Sequence, residues 1–250
     1  MTFKPITRGA VLGLALWSPA LLAQHADIEA IIDPAGSASG TIIVDPHDEA
    51  LLTTAIKPGR KLFESEFGEL GSPFTTNDPG FDVPDGNGVA DSILGFQVLD
   101  SLLKWDGSSW VSSGFDEHIT IDDVVGSAIE VSAMGGSGLS GLIDQFDAGG
   151  GIHSHIDFEI GSSSGTPMDG AYLLELSLFG LESNGSTPLY HASDAFLIAF
   201  HLNDSGSFDE AAFESAVGAL APIPVPAAVW LLGSAVLALC GLGRSRRRNS

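Results

Sequence analysis

Two histidines and two acids alternate in His153-Ser154-His155-Ile156-Asp157-Phe158-Glu159, the segment of this 250-residue chain best equipped for chemistry. On an extended strand, residues two apart project from the same face at ~7 Å spacing. Two imidazoles so placed can reach one metal ion, with Asp157 or a residue of a neighbouring strand completing the shell. His118, His191 and His201 are candidate third ligands, and nothing local to the sequence selects among them. Histidine plus carboxylate suits Zn2+ first, while copper and nickel also tolerate such a donor set. A strand with one wet side requires polar residues at the same four positions, so that plainer reading stands beside the metal one. No HExxH pairing of ligand and base occurs, which argues against a catalytic zinc of that type.

Other candidate chemistry is thinner. Asp85-Gly86-Asn87-Gly88-Val89-Ala90-Asp91 offers oxygens at positions 1, 3 and 7 around glycines, as Ca2+ loops do, but Phe96 stands where the bidentate Glu of position 12 belongs. Asx/Gly turns have the same composition without an ion. The serines of Gly136-Ser137-Gly138 and Leu139-Ser140-Gly141 lie in a Gly/Ser tract, with no Gly-x-Ser-x-Gly elbow. Asp122-Asp123 and Glu64/Glu66 say little as acid/base pairs in so acidic a chain. Trp105 and Trp110 flank Asp106-Gly107-Ser108-Ser109 and read as the arms of a hairpin, either packed in a core or stacked on sugar.

The elements that must carry these residues are mainly strands. Ile152, Ser154, Ile156, Phe158 and Ile160 alternate with the polar set, which predicts a single strand with one wet side. Ala171–Phe179 and Ala195–Leu202 are dense apolar runs between turn residues, as buried strands are. Ile119–Ile121 and Ala128–Val131 are shorter strand candidates, and 92–103 fits a strand or an amphipathic helix equally. Residues 209–219 have helical spacing at Phe208, Ala212, Phe213, Ala216 and Val217. Short strands separated by Gly/Ser/Asp turns predict an all-β fold, an antiparallel β-sandwich, as one domain over 24–221 or two modules divided near 134–151.

The ends read as addresses. Lys4 and Arg8, an apolar run from Ala10 to Trp17, and Ala23 as a cleavage position predict a signal peptide over 1–23. At the far end, the proline cluster Pro222-Ile223-Pro224-Val225-Pro226 cannot enter a helix interior. Ala227 to Gly243 follows without a charge, then Arg244-Ser245-Arg246-Arg247-Arg248. That apolar stretch is at the short limit of a single transmembrane helix, and the arginines would stay cytoplasmic with the acidic body outside.

The residues Ile223-Pro224-Val225-Pro226-Ala227-Ala228-Val229-Trp230-Leu231-Leu232-Gly233-Ser234 resemble the VPLPA variant of the PEP-CTERM sorting signals of Gram-negative bacteria. Ile223 replaces the motif's Val and Val225 its Leu. The resemblance assigns Pro224, Val225, Pro226 and Ala227, with Arg246, Arg247 and Arg248, to a sorting signal over 222–250. In that family an exosortase, a membrane peptidase, removes the tail and releases or re-anchors the protein at the surface. The body also resembles bacterial PEP-CTERM surface proteins grouped with zinc-repressed genes, and HxH-containing surface domains. Thr76-Asn77-Asp78-Pro79-Gly80-Phe81, Leu94 to Asp100, Lys104-Trp105-Asp106-Gly107, His153-x-His155-x-Asp157-Phe158, Gly170 to Leu176 and Ser193-Asp194-Ala195-Phe196 carry that likeness. It implies a link to zinc and brings no catalytic residues.

Charge narrows the classes further. All 32 acids fall between Asp27 and Glu214, where only Lys57, Arg60, Lys61 and Lys104 are basic. Such a body repels phosphate backbones, which excludes nucleic acid as a partner. The single cysteine, Cys240, rules out an intrachain disulfide and a Cys-based zinc site. These observations together predict a non-enzymatic, exported surface or exopolysaccharide-matrix protein. A secreted hydrolase or a carbohydrate-binding module acting on matrix polysaccharide is the alternative.

Overall fold

The computed structural model describes residues 27–46, 59–68 and 70–220. The expected signal peptide (1–23) and the sorting segment (222–250), its apolar helix included, lie outside the described residues. Among those described, no helix is long and apolar enough to cross a membrane.

Sixteen strands in several sheets and one short helix make the described chain all-β. One sheet runs in the order β12 (Ile152–Ser154), β5 (Phe81–Val83), β1 (Ile28–Asp33), β2 (Thr41–Val44). A second runs β10 (Ala128–Ser132), β9 (Glu117–Asp122), β13 (Asp157–Ser162), β4 (Thr75–Thr76). The largest has the path β11 (Ser140–Gln145), β6 (Ile93–Val98), β14 (Gly170–Leu181), β16 (Phe196–Leu202), β3 (Lys61–Glu66). On its margin β15 (Pro188–Tyr190) pairs β14, and the hairpin β7 (Leu103–Trp105)–β8 (Trp110–Val111) joins through β7. Most neighbours are antiparallel; β1 with β5 and β16 with β3 are parallel.

Period-two alternation explains how these strands share a core. Ile28, Ala30 and Ile32 of β1, Ile119 and Ile121 of β9, and Phe158 and Ile160 of β13 are buried, with their neighbours turned outward. Tyr172, Leu174, Leu176 and Leu178 of β14 join the same apolar cluster, to which all three sheets contribute. The other face of β14 and β16 is also covered. Ala171, Leu173, Leu197 and Ala199 pack beneath Phe213 and Ala216 of α1 (Glu210–Gly218). Burial on both faces is why these two strands read as continuous apolar runs rather than alternating ones. Asp209 caps α1 by accepting from the Ala212 amide.

The structure decides two ambiguous segments. Residues 93–98 form strand rather than helix, held between β11 and β14. The alternating run 152–160 is not one strand. It breaks at His155-Ile156, so that β12 belongs to the first sheet and β13 to the second. Alternation of burial passes through the break, because Ile156 still points into the shared core. For that reason periodicity gave no sign of the break.

Candidate metal centre

The break in the strand is what brings the histidines to their partners. β12 lies against β5, with His153 opposite Asp82. β5 pairs with β1, whose preceding residue is Asp27. Asp27, His153 and His155 each offer a ligand atom, and these atoms lie within 4.8 Å of one another.

The Nδ1 atom of His153 is 3.7 Å from Asp27 Oδ2 and 3.5 Å from Asp82 Oδ1. His155 Nε2 is 3.9 Å from Asp27 Oδ1. A tetrahedral ion with bonds of ~2.0–2.1 Å sets its ligand atoms about 3.3 Å apart, so small rotamer adjustments close this set around zinc. The two rings meet edge to face, 5.3 Å between centroids.

The surroundings orient the first ligands. Asn77 O lies 2.9 Å from His155 Nδ1, with Asp78 Oδ1 at 3.4 Å. When Nδ1–H donates to that carbonyl, the lone pair resides on Nε2, the atom facing Asp27. This is the outer-shell arrangement that metal-bound imidazoles use. Asp27 Oδ1 is steadied by the Gly80 amide at 3.1 Å. Gly80 has a second role: a Cβ there would stand 2.6 Å from His155 Cε1 and 2.8 Å from Asp27 Oδ1. Only glycine leaves room for both side chains.

Beside His153 a cleft of about 410 Å³ is lined by Asp82, Asp85, Asp144 and Asp147. Four carboxylates, with His153 and no Lys or Arg in the lining, concentrate cations at its mouth.

The expected third residue, Asp157, is placed elsewhere. It sits in β13 opposite Asp122, exposed, in a different sheet from β12, and Asp27 stands with the histidines instead. His118, on β9, packs against Gly161 of β13. His191 lies by β2 in an isolated bridge to Thr41. His201 is buried under α1, stacked on Phe213 and bonded through Nε2 to Phe208 O. None of the three belongs to the group.

Glycines of the Asp85–Asp91 loop serve backbone docking. Gly86 and Gly88 donate to Gly149 O and Gly150 O at 2.8 and 2.7 Å. Trp110 is buried beneath α1, its indole donating to Ala216 O, while Trp105 remains partly exposed.

No family model, curated protein or solved structure matches this chain. The functional reading therefore rests on the residues themselves. Local sequence pointed to His153 and His155, but not to Asp27, Asp82 or Gly80. These are far away along the chain, and only strand pairing makes them neighbours.

Proposed function

We propose that this chain is an exported, non-enzymatic surface or matrix protein whose sandwich-like β body binds a divalent transition metal, zinc first, through His153, His155 and Asp27. The observation that carries the metal reading is the orientation of His155: a backbone carbonyl on Nδ1 leaves Nε2 to face the Asp27 carboxylate. Asp82, 3.5 Å from His153 Nδ1, is the candidate for a fourth ligand. The exported address and exosortase partnership rest on the PEP-CTERM-like tail and the signal-like start. In this reading the tail spans the membrane until it is removed, and the acidic body faces outward towards the exopolysaccharide.

Thermal melting of the full-length chain with and without zinc tests the site. Zinc at 100-fold above its Kd adds ~2.7 kcal/mol, equivalent to a rise of roughly 5–10 °C in Tm for a body of this size. The double variant His153→Ala/His155→Ala loses that rise. A rise that persists in the double variant, or no rise in the native chain, refutes the assignment. Intact mass of the native surface protein tests the address: removal near residues 224–227 supports it, and a soluble intracellular chain with both ends intact overturns it.

A further inference from the structure

A second cavity, of about 880 Å³, opens between the β7–β8 hairpin and the start of β9, and none of the metal-site residues lines it. Its size falls within the ~300–1,000 Å³ of small-molecule sites. Trp105, Phe115, Met168 and Phe208 give it apolar walls. Lys104 and Glu117 also line it, joined by an ion pair of 2.7 Å and both largely withdrawn from solvent.

Glu117 is 1% exposed, and its carboxylate is only half used. Oε1 accepts from Lys104 Nζ at 2.7 Å and from the Met168 amide at 3.2 Å. Oε2 is buried without a hydrogen-bond partner. A buried carboxylate oxygen left unpaired is costly, and a donor arriving from the cavity removes that cost. Exposed Met168 flanks the carboxylate on the cavity side.

The rim selects against anions. Asp106, Asp116 and Asp169 line it. Serine hydrogen bonds hold each of the three below the usual carboxylate range. With Lys104 neutralised by Glu117, the cavity is net negative.

We infer that this groove binds a pyranose residue carrying no negative charge, its apolar face on Trp105 and a hydroxyl or ammonium donor directed to Glu117. Aromatic walls with convergent acceptors suit a ring that is apolar on one face and donates from its edges.

Titration calorimetry of the full-length chain tests this with three oligosaccharides of equal length: neutral hexose, hexosamine and uronate. Binding is expected for the neutral or amine-bearing oligomer, with the uronate at least about tenfold weaker, or 1.4 kcal/mol. Trp105→Ala and Glu117→Gln each weaken it. Ser113→Trp, a change at an exposed lining position, blocks the mouth without touching the core. His153→Ala/His155→Ala leaves sugar binding unchanged, which separates this site from the metal site. Three results overturn the inference: no saccharide binding at millimolar concentration, uronate binding as tight as the others, or binding that survives both Trp105→Ala and Ser113→Trp.

Discussion

At the scale of single residues, the proposed metal site depends on atoms that two histidines alone do not supply. Asp27→Asn removes the charge shared by both imidazoles and is expected to weaken zinc at least about tenfold, as loss of a ligand charge does. Asp157→Asn, in the other sheet, is expected to leave zinc affinity unchanged. Calorimetry on the two variants separates these roles. Gly80→Ala tests the packing: its methyl meets His155 and Asp27 and lowers zinc affinity with no ligand removed.

Asp169 allows a prediction in pH. Burial raises its pKa, but hydrogen bonds from Ser205 and Ser207 outweigh that and hold it at about 2, below the ordinary 3.8. The folded value is depressed, so the stability it contributes is present above the unfolded pKa and is lost as pH falls from about 3.8 towards 2. The contribution is about 1–2 kcal/mol once screening of this partly exposed group is allowed for. Asp169→Asn is expected to lower stability by that amount at pH 7 and to flatten the acid limb over that window. Urea melts at pH 7, 4 and 2.5 measure both effects.

At the scale of elements, α1 is held by its contacts with β14 and β16, not by its own propensity. A nine-residue helix is too short to persist alone in water. Phe213 stacks on His201 at 4.8 Å between centroids and packs on the outer face of the large sheet. Phe213→Ala is expected to cost about 3–5 kcal/mol, in line with deletion of a buried ring, and to raise amide exchange throughout α1. Exchange unchanged in α1 would show that the helix does not depend on this anchor.

The helix and the dense apolar strands were legible in the sequence because a period near 3.6 and an unbroken apolar run between turn residues are both local patterns. The division of 152–160 was not legible. Both halves present the same alternation, and leaving one sheet for another requires a partner edge rather than a change of pattern. The assignment of Trp105 and Trp110 to different surroundings had the same cause. Cross-strand pairing put their ring centroids 5.8 Å apart, and α1 then took the Trp110 indole as a donor, leaving Trp105 partly exposed at the edge of the same cluster.

At the scale of the whole molecule, charge dominates. The three described cations are all paired: Arg60 with Glu175, Lys61 with Asp45, and Lys104 with Glu117. Acids far outnumber these cations in the chain, and the net repulsion among like charges works against the compact state. Raising NaCl from about 20 mM to about 500 mM shortens the Debye length severalfold and is expected to raise Tm by a few degrees in a scanning melt. A fall in Tm would mean that screened attractions outweigh screened repulsion.

Composition and periodicity by themselves determined the sign of the surface, the β class and the helix near residue 210, since each follows from properties of neighbours along the chain. They also singled out the two histidines, because imidazoles two apart are an uncommon choice for a wet strand face. Tertiary structure alone decided which carboxylate completes the set and which glycine makes room for it. It also decided that Glu117 retains an unpaired oxygen beside an open groove. Those facts depend on which strand edges meet, and hydrogen-bonded edges are much the same whatever side chains they carry.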